Sequence, residues 1–192
     1  MLRPKYIPTV LENKNAKGFT VLELLIVIAI IGILTSVIMA SVNNTKTKAE
    51  NVKATLEIKN LRNAITMLEN DTSKWPNGCP IDQVSNPEVN LNDANAGLLS
   101  VPTIFSSGAC SWNAGDISKW KGPYTTYATD QWNTSYVFDP DYHICENSID
   151  ASYPVVVSYG RDATQNYPSD NANVGQACNL VDSDDIYVKL IN

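Results

Sequence analysis

Histidine occurs once in these 192 residues, at His143, so one subunit cannot hold an all-histidine metal site or a histidine-rich proton relay. No G-x-S-x-G, P-loop or dinucleotide fingerprint is present, so the sequence signatures of those enzyme classes are missing. The four cysteines contain no C-x-x-C pair, and their spacings of 31, 35 and 33 lack the short-range pattern of structural zinc sites. Positive charge is scarce after residue 74. Residues 75–192 hold four basic and fourteen acidic side chains, a net of −10, which argues against nucleic-acid binding by the lone subunit. Asp139-Pro140-Asp141 reads as a turn, not as paired catalytic carboxylates. His143 near Cys145 reads as a surface histidine beside a disulfide cysteine, not as a thiol–imidazole couple.

The overall charge of −6 and the 44% hydrophobic content describe a chain able to bury a core. That average hides a gradient. Residues 1–18 carry a net +3, residues 19–45 contain Glu23 as their single charge, and residues 46–74 carry a net +2. Leu24–Leu34 reads LLIVIAIIGIL, and the run from Val21 to Val42 is broken only by Glu23, Thr35, Ser36 and Ser41 among polar residues. At ~1.5 Å per residue such a helix is long enough for a ~30 Å hydrocarbon core. A buried core helix is disfavoured because the run is apolar all round. A cleaved secretory signal is disfavoured because no small-x-small site follows it. A retained membrane segment fits best.

A carboxylate in that segment needs a reason, since one at a membrane-helix centre costs about 2.5–3.5 kcal/mol. Glu23 either favours the helix N-terminus electrostatically or meets a specific positive partner. Its neighbours favour the second reading. Lys17-Gly18-Phe19-Thr20-Val21-Leu22-Glu23 resembles the processing site of the type IV pilin and pseudopilin family. The resemblance implies cleavage between Gly18 and Phe19 by a membrane aspartic peptidase, the prepilin peptidase, and N-methylation of Phe19. It also implies that Glu23 pairs with the N-terminal amine of a neighbouring subunit. Ammonium and carboxylate, each expensive alone in lipid, would neutralise each other. The same resemblance orients the chain, with a cytoplasmic leader, one pass through the bacterial inner membrane and an extracytoplasmic head.

Four segments follow: a leader over 1–18, a membrane or filament-core helix over 19–42, an amphipathic stem over 43–74 and a globular head over 75–192. Residues Thr45–Asn70 lack proline and glycine, and Ala54, Ile58, Leu61, Ile65 and Leu68 recur at spacings of 4, 3, 4 and 3. This predicts a nearly continuous helix from about Thr20 to Asn70 whose second half lays an apolar stripe on the head. The family's proline late in the membrane half is absent, with Ala40 in its place. In the head, residues 77–134 read as loops with a short helix near 92–100. Ser135–Asp139, Tyr153–Tyr159 and Ile186–Ile191 read as strands. The fold class is therefore α+β, a long N-terminal helix packed on a small antiparallel sheet, as in pilins.

Cys79, Cys110, Cys145 and Cys178 all lie in the head and allow three connectivities. Loops so poor in apolar residues need staples, and disulfides persist in the oxidising context implied for the head. The favoured pairing is Cys79–Cys110 with Cys145–Cys178. Trp120-Lys121-Gly122-Pro123-Tyr124 and Asp130-Gln131-Trp132-Asn133-Thr134-Ser135-Tyr136 resemble the W-x-G-P-Y and D-x-W-G-x-P-Y order of type II secretion major pseudopilins. Asn133 stands for a glycine and Ser135 for a proline. Val157–Asp162 resembles an S-x-G-x-D-G turn, with Ala163 for the last glycine, and Asp182–Ile186 a late acidic run. The resemblance implies a calcium ion between these two places, with Asp162, Asp182, Asp184 and Asp185 as candidate ligands.

The expectation is a non-enzymatic structural subunit of a homopolymeric pseudopilus or pilus. It would sit in lipid before assembly and then polymerise on an inner-membrane assembly platform, driven by a cytoplasmic ATPase, together with minor pseudopilins or pilins. The leading form is the major pseudopilin of a type II secretion system. A type IV pilus pilin serving adhesion, motility or DNA uptake is the alternative. A membrane-tethered binding domain using Trp112, Trp120, Tyr124 and Trp132 is the alternative of a different class.

Overall fold

The computed structural model describes residues 18–81, 87–107, 110–146, 149–165 and 184–190. Cys178 and Asp182, both expected as site residues, fall outside them, as does the side chain of Cys145, so the second disulfide is not described. The chain divides between Thr45 and Lys46 into two compact units.

A single helix, α1, runs over Val21–Thr72. Its residues Val21–Met39 are exposed throughout, the expected state of a segment whose natural surroundings are not water. Two of the three hydroxyls inside the apolar run, those of Thr35 and Ser36, are satisfied within the helix. Thr35 Oγ1 donates to the Ile31 carbonyl at 2.7 Å and Ser36 Oγ to that of Ile33 at 2.7 Å. Such back-bonding lets Ser and Thr sit in an apolar helix without stranded polar groups. At the other end, Ser73 takes a left-handed conformation (φ 58°) and its N–H donates to the Glu69 carbonyl at 2.7 Å. This αL cap ends the helix just before Trp75-Pro76.

The second unit is built on the stem stripe. Ala54, Ile58, Leu61, Ile65 and Leu68 are all buried, and Ile58 to Leu68 join Trp75, Leu91, Trp112, Tyr136, Phe138 and Val156 in one cluster. The head contributes a four-stranded antiparallel sheet in the order β1-β4-β5-β6, from β1 (Val89–Asn90), β4 (Val137–Glu146), β5 (Ile149–Ser158) and β6 (Ile186–Lys189). Phe138 and its register partner Val156 face the stem. Val137, Tyr142, Ile144, Val155 and Val157 form a second cluster.

Three local readings are corrected. Asp139-Pro140-Asp141 lies inside β4, not in a turn, where the register shifts between Asp139 and Tyr142. Proline has no N–H to give a ladder, and a bulge is where a strand tolerates it. The extra residue also reverses the alternation, so Val137 and Tyr142 share a cluster despite odd and even numbers. His143 is buried in β4 opposite Ser152, not on the surface. The loop reading of 77–134 missed the hairpin of β2 (Phe105–Ser107) and β3 (Cys110–Trp112) and the short helix α2 (Ala114–Lys119). It placed a helix near 92–100 where one 3-10 turn, Ala94–Ala96, is found. A disulfide joins Cys79 to Cys110 and ties the chain just after the stem to β3.

Leu61→Ala removes a fully buried side chain from the stripe and is expected to cost about 2–5 kcal/mol. Met67→Ala, on the exposed face, should stay within about 0.5 kcal/mol. Denaturant unfolding of the full chain in detergent measures both.

Candidate functional site

The start of α1 is built as a reciprocal cap. Thr20 precedes the first helical residue, and its carbonyl accepts from the Leu24 N–H at 3.3 Å. Its backbone N–H and its hydroxyl both donate to Glu23 Oε2, each at 2.9 Å, and the Glu23 N–H donates to Thr20 Oγ1 at 3.1 Å. This is a capping box, in which Thr at N-cap and Glu three residues on satisfy orphan donors of the first turn. Glu23 is thus a helix-start residue. Gly18 has nothing within 4 Å of where a Cβ would stand, and Phe19 is 90% exposed.

In the second unit, three stem carboxylates seven or fourteen residues apart are held by the head. Glu50 accepts from Arg161 at 2.9 Å, with Arg161 also donating to Thr47 Oγ1 at 3.0 Å. Glu57 Oε2 accepts from the Tyr136 hydroxyl at 2.8 Å and Gln131 Nε2 at 2.6 Å. Asp71 accepts from Lys121 Nζ at 2.7 Å and from the Tyr124 hydroxyl at 2.9 Å. The first hydrogen bond, then the second, lower the Asp71 pKa. Desolvation and then its hydrogen bond to Glu57 raise that of Tyr136.

These contacts explain the head motifs. Lys121 and Tyr124 of W-x-G-P-Y are the Asp71 clasp, and Trp120 Nε1 donates to the Gly97 carbonyl at 2.7 Å. A Cβ on Gly122 would stand 2.5 Å from the Trp120 ring, so only glycine fits between Trp120 and Tyr124. Asp130 Oδ1 accepts from the Trp132 and Thr134 N–H groups, each at 2.9 Å, and its Oδ2 from the Ser158 hydroxyl at 2.6 Å. Asn133 has φ 66°, a left-handed conformation that asparagine tolerates better than most residues, so its replacement of glycine keeps the turn. Ala163 has φ 55°, where a side chain costs about 1–2 kcal/mol.

Of the expected calcium ligands, Asp162 and Asp184 meet at one turn. Asp184 Oδ2 accepts from the Arg161 N–H at 2.7 Å and the Asp162 N–H at 3.4 Å, against Gly160, where any Cβ would collide with Asp184. Asp162 Oδ1 accepts from the Thr164 N–H at 2.9 Å. Asp185 Oδ2 accepts from the Tyr142 hydroxyl at 2.7 Å. Their hard oxygens suit calcium in kind. Among the described residues, no three carboxylate, histidine or cysteine side chains gather as a metal cluster. Trp112 is fully buried and Trp120 and Tyr124 pack against the core, so these aromatics serve packing.

Residues 13–39 match the family model of the prokaryotic N-terminal methylation motif. The chain is similar to type II secretion system core protein G of Aeromonas hydrophila, 36% identical over 66 residues, covering 34% of this chain and 46% of that protein. It is similar to the core protein G of Vibrio cholerae, 41% identical over 65 residues, covering 34% and 44%. It also resembles the type IV major pilin protein PilE1 of Neisseria gonorrhoeae, 35% identical over 91 residues, covering 47% of each. The match spans less than half the length of these relatives. No solved structure gives a significant match. The N-terminal part thus carries the methylation motif and is similar to the same part of these type II secretion and type IV pilin proteins. With its long apolar helix and small antiparallel sheet, the molecule has a pilin-like α+β arrangement.

Asp71 gives a pH prediction. Its lowered pKa means that its stabilisation is complete above the unfolded value, near 3.8, and is lost as pH falls through the lower folded value. Asp71→Asn should lower the melting temperature at pH 7. The gap from the parent chain should close on acidification below about pH 4, as thermal melts across pH would show.

Proposed function

We propose that the chain is a structural, non-enzymatic filament subunit, made as a prepilin, cut after Gly18, methylated on the new N-terminal Phe19 and polymerised. The observation that carries this is G-F-T-x-x-E at the start of a helix whose first part, Val21–Met39, is apolar and exposed throughout. Such a surface needs lipid before assembly and neighbouring helices after it. The partners are a prepilin peptidase, an inner-membrane platform, minor pseudopilins and further copies of the chain. The leader is cytoplasmic and the head extracytoplasmic. The matches to core protein G favour the major pseudopilin of a type II secretion system. The longer match to a type IV major pilin supports a type IV pilus subunit as the second reading.

In this reading Glu23 exchanges donors. Cleavage creates an ammonium on Phe19, and in the polymer the carboxylate pairs with the amine of a neighbouring subunit, a charge-assisted contact stronger than a hydroxyl's. Calcium belongs to the same proposal, with Asp162, Asp184 and Asp185 as ligands and Asp182 outside the described residues.

Glu23→Val should still be cut, with mass spectrometry finding methylated Phe19 at the N-terminus, while polymer in the sheared fraction falls to background. An N-terminus elsewhere would sink the prepilin reading, and normal polymers the amine-pairing role. For calcium, a chelator should lower the melting temperature of the full chain and added calcium restore it. An unchanged melt rejects a structural ion.

A further inference from the structure

The stem's charges divide by flank except at one residue. At 100° per residue, Glu50, Glu57 and Asp71 lie on one side of the buried stripe and Lys48, Lys59 and Arg62 on the other, where Glu69 follows them toward the end of the helix. Glu50, Glu57 and Asp71 are engaged by the head. Lys46 and Lys53 are paired to Glu50 and Glu57 at 3.7 Å. The side chains of Lys48, Lys59 and Arg62 make no hydrogen bond or ion pair among the described residues. They form an open cationic stripe. At Arg62 it borders a cleft of about 360 Å³ whose walls combine the apolar Ile65, Trp75 and Leu190 with Thr66 and Glu69, so the stripe ends beside an apolar anchor and one carboxylate.

The head of the same chain has the opposite character, with a net of −10 over residues 75–192 and exposed carboxylates at Glu88, Asp93, Asp162 and Asp184. A basic stripe repels its own copy, so the surface cannot close a symmetric dimer through itself. We propose that the Lys48–Lys59–Arg62 stripe docks the acidic head of a second copy. This inference rests on the filament reading and names the surface that makes the contact heterologous. Unlike surfaces on each copy leave one of each unsatisfied at the ends, which is the condition for open-ended growth. The contact is screened by salt, so polymers should loosen as ionic strength rises.

The test uses polymers sheared from cells making the full, processed chain. A carbodiimide joins an amine to a carboxylate only when the two touch. The covalent dimer, isolated on a denaturing gel and digested, should yield peptides linking Lys48 or Lys59 to a carboxylate within residues 75–192. Lys59→Arg should keep the polymer and lose the Lys59 link. Lys59→Glu with Arg62→Glu should cut polymer yield at least ~10-fold, since juxtaposed like charges are strongly unfavourable. Its melting temperature should match the parent's, separating this loss from misfolding. Wild-type polymers without such links, or unchanged yield from the double reversal, overturn the inference and leave the filament reading standing. Polymers insensitive to the reversal while binding to phosphatidylglycerol vesicles is lost assign the stripe to lipid and also overturn it. A wild-type chain that never polymerises after correct cleavage removes both.

Discussion

Everything in the second unit depends on one seam, the stripe from Ala54 to Leu68 pressed against Phe138 and Val156 of the sheet. The sheet has one cluster of its own, Val137, Tyr142, Ile144, Val155 and Val157, which holds no stem residue. Its stem-facing side chains are buried because a helix lies across them. The helix in turn needs the sheet, since most of a helix's stability in a protein comes from packing its apolar face. Neither part is a separate folding unit. The disulfide between Cys79 and Cys110 and the Trp75 and Trp112 rings then fasten the loops to the end of this seam.

The same helix carries a different problem at its other end. There the surface is apolar and exposed, and the polar groups are what must be accommodated. The chain does this with local bonds. Thr35 and Ser36 return to the helix carbonyls, and Thr20 meets Glu23. In the proposed polymer the Thr20–Glu23 cap is a holding arrangement. It supplies donors to the carboxylate until a stronger one arrives.

Periodic signals were legible in the sequence and irregular ones were not. The stem stripe declared itself by spacing, and the valine-rich run of β5 by composition. The helix N-terminus was legible too, but as a processing motif more than as the capping box it also is. The second box, Asn113 with Asp116, starts α2 and has the same three-residue spacing, so it was available as a signal. The hairpin of β2 and β3 offered only three residues per strand, rich in serine, and its stability comes from the disulfide and from Gly78 packing on Phe105 and Trp112. The Asp139–Asp141 bulge misled because aspartate and proline are turn residues first, and only pairing across to β5 makes them a strand. The head motifs pointed to the right residues without saying what they do. Their role as clasps for Asp71 and Glu57 is a long-range fact, which no local pattern contains.

The clasped carboxylates have a consequence of their own. Glu50, Glu57 and Asp71 stand at multiples of seven, so on a 3.6-residue helix they drift by about 20° per heptad and trace a slow left-handed path. The donors that meet them, Arg161, Tyr136 with Gln131, and Lys121 with Tyr124, come from three separate places in the head. Sliding the stem by one turn would keep apolar residues near the sheet but would miss all three clasps together. The apolar seam supplies adhesion and tolerates slippage. The clasps act as a vernier, leaving the stem one seat along its length.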